Sequence, residues 1–229
     1  RYCICAFQYT AGASGIPGTQ GIIGVYPEEV LEPVLLQDLP WPQVEKLPRD
    51  LPVLIPVAAN EQHGHHLPVF TDSYLLGEVV RRAGERLGDQ VLIAPLQWLG
   101  NSHHHLDFQG TLSADPRLYL DLLNGLADQF IGYGFRRILF LNGHGGNITP
   151  GEQAVFELRQ RYRSRRDLLL VFSTYWFLAD PAAFSGFSQN RMGHACEWET
   201  SMILRIRPDL VGPVDGLLSI PFGQGFEPA

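Results

Sequence analysis

Residues 52–87 read PVLIPVAANEQHGHHLPVFTDSYLLGEVVRRAGERL. Pro52 to Ala58 is a short apolar run rich in β-branched residues, the pattern of a strand buried on both faces. From Thr71 to Leu87, the residues Leu75, Leu76, Val79, Val80, Ala83 and Leu87 recur at helical spacing and form one apolar face. A polar, histidine-rich loop joins the two. The same unit recurs along the chain. Val91 to Pro95 reads as a second strand and Leu118 to Tyr133 as a helix. Asp115 can cap that helix, and Pro116 sits in its first turn, where the missing N–H costs nothing. Arg137 to Leu141 is a third strand, Pro150 to Arg163 a helix, and Leu168 to Ser173 a fourth strand. His194 to Arg207 reads as a last helix, ending before Pro208. Alternation of this kind predicts right-handed crossovers. The expected fold class is therefore α/β, a layered α/β/α arrangement with a mainly parallel sheet.

Composition narrows the partners. The chain has 229 residues, which suits one domain of generous size. Lys and Arg number 17 against 24 Asp and Glu, a net charge of −7 that argues against nucleic acid or anionic membrane as partners. No run of 18 apolar residues occurs, so no transmembrane helix is expected. The three cysteines, Cys3, Cys5 and Cys196, cannot build a disulfide framework, and a reducing, cytoplasmic location is expected. Residues 1–30 carry little charge in their Gly-spaced stretch and read as an irregular leader. Residues 31–229 read as the single α/β domain.

The polar residues fall where ligands bind. Glu61, His63 and Asp72 follow the first strand, His103, His104 and His105 the second, and His144 the third. In open α/β sheets, ligands sit beyond the carboxyl ends of the strands, so these chain-distant groups should converge at one rim. Glu61 and His63 stand two apart in an extended segment and point the same way. Asp72 lies at a helix start. Carboxylate with imidazole suits Zn, Mn or Fe. Asn142-Gly143-His144-Gly145-Gly146-Asn147 forms a tight strand-to-helix turn that offers His144 as a further ligand. It lacks the Lys and Ser/Thr of a phosphate-binding P-loop. In Gly193-His194-Ala195-Cys196-Glu197-Trp198-Glu199, the two glutamates are candidate ligands or bases, with a solvated helical turn as the alternative.

At these residues the chain resembles the creatinine amidohydrolase (creatininase) family, over roughly Asp50 to Val211. The resemblance rests on LPVLIPVAANEQHGHHLP with Thr71-Asp72, on FQGTLS (108–113), on FLNGHGGN (140–147) and on GHACEWETSMILRIRPDLV (193–211). It implies a layered α/β fold and two divalent metal ions per subunit, Zn, Mn or Fe. The implied activity is hydrolysis of a non-peptide C–N bond in a cyclic amide or formamide by a metal-activated hydroxide. It also implies a small-molecule amide as substrate and a homo-oligomer, often a hexamer. Carried over, Glu61, Asp72 and His144 would hold one metal, and His63 with Asp72 the other. Gly145 and Gly146 stand where creatinine hydrolases carry an aromatic residue and a ligating Glu. Glu197 is the expected replacement and Glu199 the second choice. His194 is the expected oxyanion stabiliser or leaving-group acid, with Glu199 as proton shuttle. Trp176, His105 and Gly145 are expected at the substrate. Asn190 stands where creatinine hydrolases place a second Trp, so the chain resembles the broader GHGGN branch, which includes formamide hydrolases and mycofactocin-trimming peptidases. The chain also stops short of the closing segment usual in the family. The alternative readings are a mycofactocin-type peptide-trimming hydrolase and a non-catalytic paralogue that serves as an assembly subunit.

Overall fold

The run around Ile55 becomes the middle strand of a sheet. The computed structural model describes residues 31–180, 182, 185–189 and 191–216. Its strands are β1 (Val34–Leu35), β2 (Val53–Val57), β3 (Leu92–Ile93), β4 (Arg137–Asn142) and β5 (Leu169–Thr174), in the order β1-β3-β2-β4-β5. Every ladder among them is parallel. The register sets Val57 beside Asn142 and Asn142 beside Thr174, so the carboxyl ends of three strands finish on one rung.

The described residues form five α-helices: α1 (Trp41–Lys46), α2 (Thr71–Leu87), α3 (Pro116–Gly132), α4 (Ile148–Arg161) and α5 (Glu197–Ile206). The two-residue period of a strand decides which helix each side chain meets. Val53, Ile55 and Val57, with Ile138 and Phe140, pack under α3 and α4 against Tyr119, Leu123, Ala127, Val155 and Leu158. Leu54, Ile93 and Leu141 face the other way, onto Leu76 and Val80 of α2. Leu67, Leu75 and the fully buried Ile203 then join α5 to α2. This is the expected α/β/α layering, and each fully buried leucine contributes about 1.5–3 kcal/mol through burial. The expected cap also forms, since Asp115 accepts from Arg117 N–H at 2.9 Å.

Two expectations need correction. The two-residue β1 and the short α1 precede the first predicted strand. The last helix starts at Glu197 rather than His194, because Ala195 takes a left-handed backbone with φ of 47°, which a helix cannot contain. The expected leader, the chain end after 216 and Asn190 lie outside the described residues. No helix among the described residues is long and apolar enough to cross a membrane.

Candidate metal centre

The chain leaves β2 toward β3 and leaves β4 toward β5, on opposite sides. Two neighbouring strands whose connections diverge open a crevice between their carboxyl ends, the place where α/β proteins bind ligands. Glu61, His63 and Asp72 enter it from the segment after β2, and His144 from the turn after β4. Asparagines shape that turn. Asn142 Oδ1 accepts from His144 N–H at 3.0 Å, while its Nδ2 donates to His144 O at 2.7 Å and to Thr174 Oγ1 at 3.1 Å. Asn147 Nδ2 donates to Ala58 O at 3.0 Å, and its Oδ1 accepts from Asn101 N–H at 2.9 Å. One side chain thus ties together the segments that follow β2, β3 and β4.

The buried groups converge on Asp72. Its Oδ1 lies 3.1 Å from His63 Nε2, and its Oδ2 lies 2.8 Å from His144 Nδ1. Glu61 Oε1 is 3.4 Å from His144 Nδ1, and Glu199 Oε1 is 3.5 Å from His63 Nε2. The opposite nitrogen of each imidazole is anchored on a carbonyl. His63 Nδ1–H donates to Glu61 O at 3.1 Å, and His144 Nε2–H donates to Asn101 O at 3.0 Å. This arrangement fixes the tautomer and turns the free nitrogen toward the carboxylates, as metal-binding histidines require.

A divalent cation fits these residues. Glu61 Oε2, His63 Nε2 and Asp72 Oδ2 are buried without an aligned hydrogen bond, although the last two each have a close neighbour. Leaving a buried polar atom unsatisfied costs about 1–3 kcal/mol. Ligands about 2.0–2.2 Å from one ion stand roughly 2.8–3.6 Å apart at right or tetrahedral angles, the range seen here. Glu61, His63 and Asp72 bring three ligand atoms within 4.8 Å of one another, as do Glu61, His104 and His144, although His104 Nε2 is 3.9 Å from Glu61 Oε2.

Electrostatics follow from the crowding. Burial pushes the Glu61 carboxyl up to about 7, with the His144 imidazole working against it. Burial would raise Asp72 too, but His63 and His144 outweigh it and hold that carboxyl below its usual range. Burial would lower His63, yet Asp72 and Glu199 lift it well above 6.5. His144 is raised likewise, mainly by Asp72. The partly exposed outer histidines go the other way. Burial, then His63 and His105, takes His194 down to about 3, and burial, then His104, takes His105 to about 4. The inner imidazolium forms are therefore stabilised by carboxylates, and His194 and His105 are kept neutral by burial first and by neighbouring histidines second.

A sequence model of the creatininase family, described as creatinine amidohydrolase, matches residues 37–216. This chain belongs to the creatininase family. It is 32% identical over 196 residues to creatinine amidohydrolase of Pseudomonas putida, covering 78% of this chain and 74% of that one. It is 34% identical over 161 residues to the mycofactocin precursor peptide peptidase of Mycolicibacterium smegmatis, covering 69% of this chain and 58% of the relative. Two solved creatininase structures, one described as Zn-Zn type and one as creatininase Mn, each match with a TM-score of 0.66 at 30% identity. They cover 79% of this chain and 75% and 76% of their own.

Within this creatininase-family chain, Glu61, His63, Asp72 and His144 meet as the sequence predicts, and Glu199 joins them. Glu197 does not. It is half-buried and accepts from Ser188 N–H at 2.8 Å, Ser188 Oγ–H at 2.6 Å and Gln189 N–H at 3.3 Å. Two positions turn a helix by about 200°, so only one of the two glutamates can face the centre. Glu199 is the buried one. Its Oε2 accepts from Cys196 N–H at 3.1 Å as part of a capping box, which leaves Oε1 for the site. His194 reaches the cluster with Nδ1 3.4 Å from Glu61 Oε1, and His105 stacks on it at 4.5 Å. Gly145 is exposed, and a Cβ there would meet nothing within 4 Å. Trp176 packs edge-on to Tyr175 and Phe177 on the α2 side of the sheet. Sequence reasoning missed Gln62, which binds His105 and His194, and undervalued His66, which is buried and bonded to Thr200 Oγ1 at 2.8 Å. The only sequence signal for either is its place inside the EQHGHH run.

Proposed function

We propose that this chain is a metal-dependent amidohydrolase that cleaves a non-peptide C–N bond, in a cyclic amide or formamide, with two divalent ions. Glu61, Asp72 and His144 would hold one ion, and His63, Asp72 and Glu199 the other. The observation that carries this reading is the Asp72 carboxylate, whose two oxygens each face a different carbonyl-anchored imidazole. When bound, such ions polarise an amide oxygen and lower the pKa of a water to about 7. The protein groups supply the rest. The buried walls exclude bulk water from Asp72. Glu199, held through its other oxygen, cannot swing away. His194 stands at the open side, where an N–H can meet the substrate's developing charge or its departing nitrogen. The unfilled space over Gly145 admits the substrate, with His105 and the apolar Trp176 as proposed contacts.

The similarity to a mycofactocin precursor peptide peptidase supports a second reading, trimming of a peptide end, with Gly145 leaving room for the longer substrate. One experiment separates the readings. Protein reconstituted with zinc or manganese is assayed on creatinine, an N-formyl arylamine and a short peptide, alongside elemental analysis. Turnover of a small amide at about two ions per chain is expected, with Asp72→Ala reducing kcat/KM at least about 10³-fold. Peptide turnover alone would favour the second reading. Less than one ion per chain after repletion, with Glu61→Ala and Asp72→Ala no different from the parent, would sink both.

A further inference from the structure

We propose that Gln62 is a positioning residue that sets the tautomer of His194, so that this imidazole faces the metal centre with an N–H donor at Nδ1. The inference deepens the amidohydrolase reading, since it assumes that His194 meets the reacting atoms. Gln62 Oε1 accepts from Gly64 N–H at 2.9 Å, which fixes the orientation of the amide, because the reverse orientation would set donor against donor. Its backbone N–H donates to Thr111 Oγ1 at 3.0 Å, so the residue is held at both ends. With the oxygen committed, Nε2 directs its two hydrogens to His194 Nε2 at 2.8 Å and His105 Nδ1 at 3.0 Å.

An imidazole nitrogen that accepts a hydrogen bond carries no hydrogen, and a neutral ring has one such nitrogen. His194 therefore bears its hydrogen on Nδ1, the atom 3.4 Å from Glu61 Oε1 and turned to the centre. His105 bears its own on Nε2. Ring contacts hold the plane: His194 stacks 4.5 Å from the His105 ring at 22° and lies 4.4 Å from the His63 ring, tilted at 45°. The tautomer decides what His194 can do. An Nδ1–H can hydrogen-bond an oxygen that gains negative charge, whereas a lone pair at the same atom would repel it. His194 so held is a donor to the reacting group and not a base.

Gln62→Glu tests this. It keeps the acceptor for Gly64 N–H and replaces the amide donor with an acceptor of nearly the same shape. Nitrogen-15 imidazole spectra of the zinc-loaded protein are expected to show His194 protonated at Nδ1 in the parent and at Nε2 in Gln62→Glu. On the amide turned over in the assay above, kcat should fall about 100-fold or more while KM stays within about threefold and zinc content is unchanged. Gln62→Ala should give mixed tautomers and an intermediate loss. A parent His194 protonated at Nε2 would overturn the proposal. So would a Gln62→Glu protein whose tautomer shifts without any fall in kcat. If the parent hydrolyses no amide, the hydrolase reading fails separately, and the spectra alone decide the role of Gln62.

Discussion

Glu61 shows how a single carboxyl couples binding to pH. Its pKa is pushed up to about 7 from an ordinary 4.5, chiefly by burial. His63 and His144 are also raised. Near pH 6 all three hold protons in the metal-free protein, and a cation must displace them. Zinc titration calorimetry at about pH 6, run in two buffers of different ionisation heat, should therefore register proton release. The apparent Kd should tighten at least about tenfold between pH 6 and pH 7, and equal heats in the two buffers would contradict this. The stability signs differ by residue. The raised folded pKa of Glu61 gives stability that is full below about 4.5 and is lost as pH rises through about 7. The lowered Asp72 gives stability present above its ordinary 3.8 and lost as pH falls through its folded value. Glu61, His63, Asp72 and His144 were legible from the sequence because loops after adjacent strands must meet. The choice between Glu197 and Glu199 was not, because it depends on helix phase, and the phase depends on where Ala195 lets the helix begin.

Among the elements, the turn from β4 to α4 carries the most constraint per residue. A Cβ on Gly146 would come within 2.2 Å of Asn101 O and 2.5 Å of His144 Nε2, the acceptor and donor that anchor this imidazole. Gly145 has no such neighbour. Gly146→Ala should therefore weaken metal binding about 10–100-fold and cost about 1–3 kcal/mol of stability, while Gly145→Ala keeps its metal. Competition with a chromophoric chelator and thermal melting check both, and equal behaviour of the two variants would refute the argument. The extent of α2, Thr71–Leu87, matches its apolar periodicity residue for residue. By contrast, β1 has two residues, too few to show a period, and only its pairing with β3 makes it a strand. The short α1 buries none of its residues, so no apolar face announced it. Layering and parallel order were legible because long, continuous apolar strands have few other ways to be covered.

At the scale of the molecule, the centre unites groups that are far apart along the chain. The hydrogen bond from His66 to Thr200 spans 134 residues, and Gly212 N–H donates to His66 O at 2.7 Å. Among the described residues, α5 is also held by Met202 and Ile203 packed with Leu67 and Leu75, by Glu197 bonded to Ser188 and Gln189, and by Trp198 edge-on to Phe187. Only Glu199 and Ile203 of α5 are buried, whereas all five residues of β2 are, so this helix opens locally at lower free energy than that strand. When it opens, Glu199 leaves the centre and His194, three residues before the helix, loses its seat beside Gln62. In the proposed assignment a cation shared by His63 and Glu199 resists that opening. Zinc at a hundredfold excess over its Kd should then add about 2.7 kcal/mol to unfolding. Chelation should raise amide hydrogen exchange in residues 197–206 before it does so in β2 or β4, whereas simultaneous loss of protection would refute the idea. In that assignment the ion would clasp α5 to the sheet, so the event that releases metal would also dismantle the proposed catalytic geometry while the body of the domain stays folded.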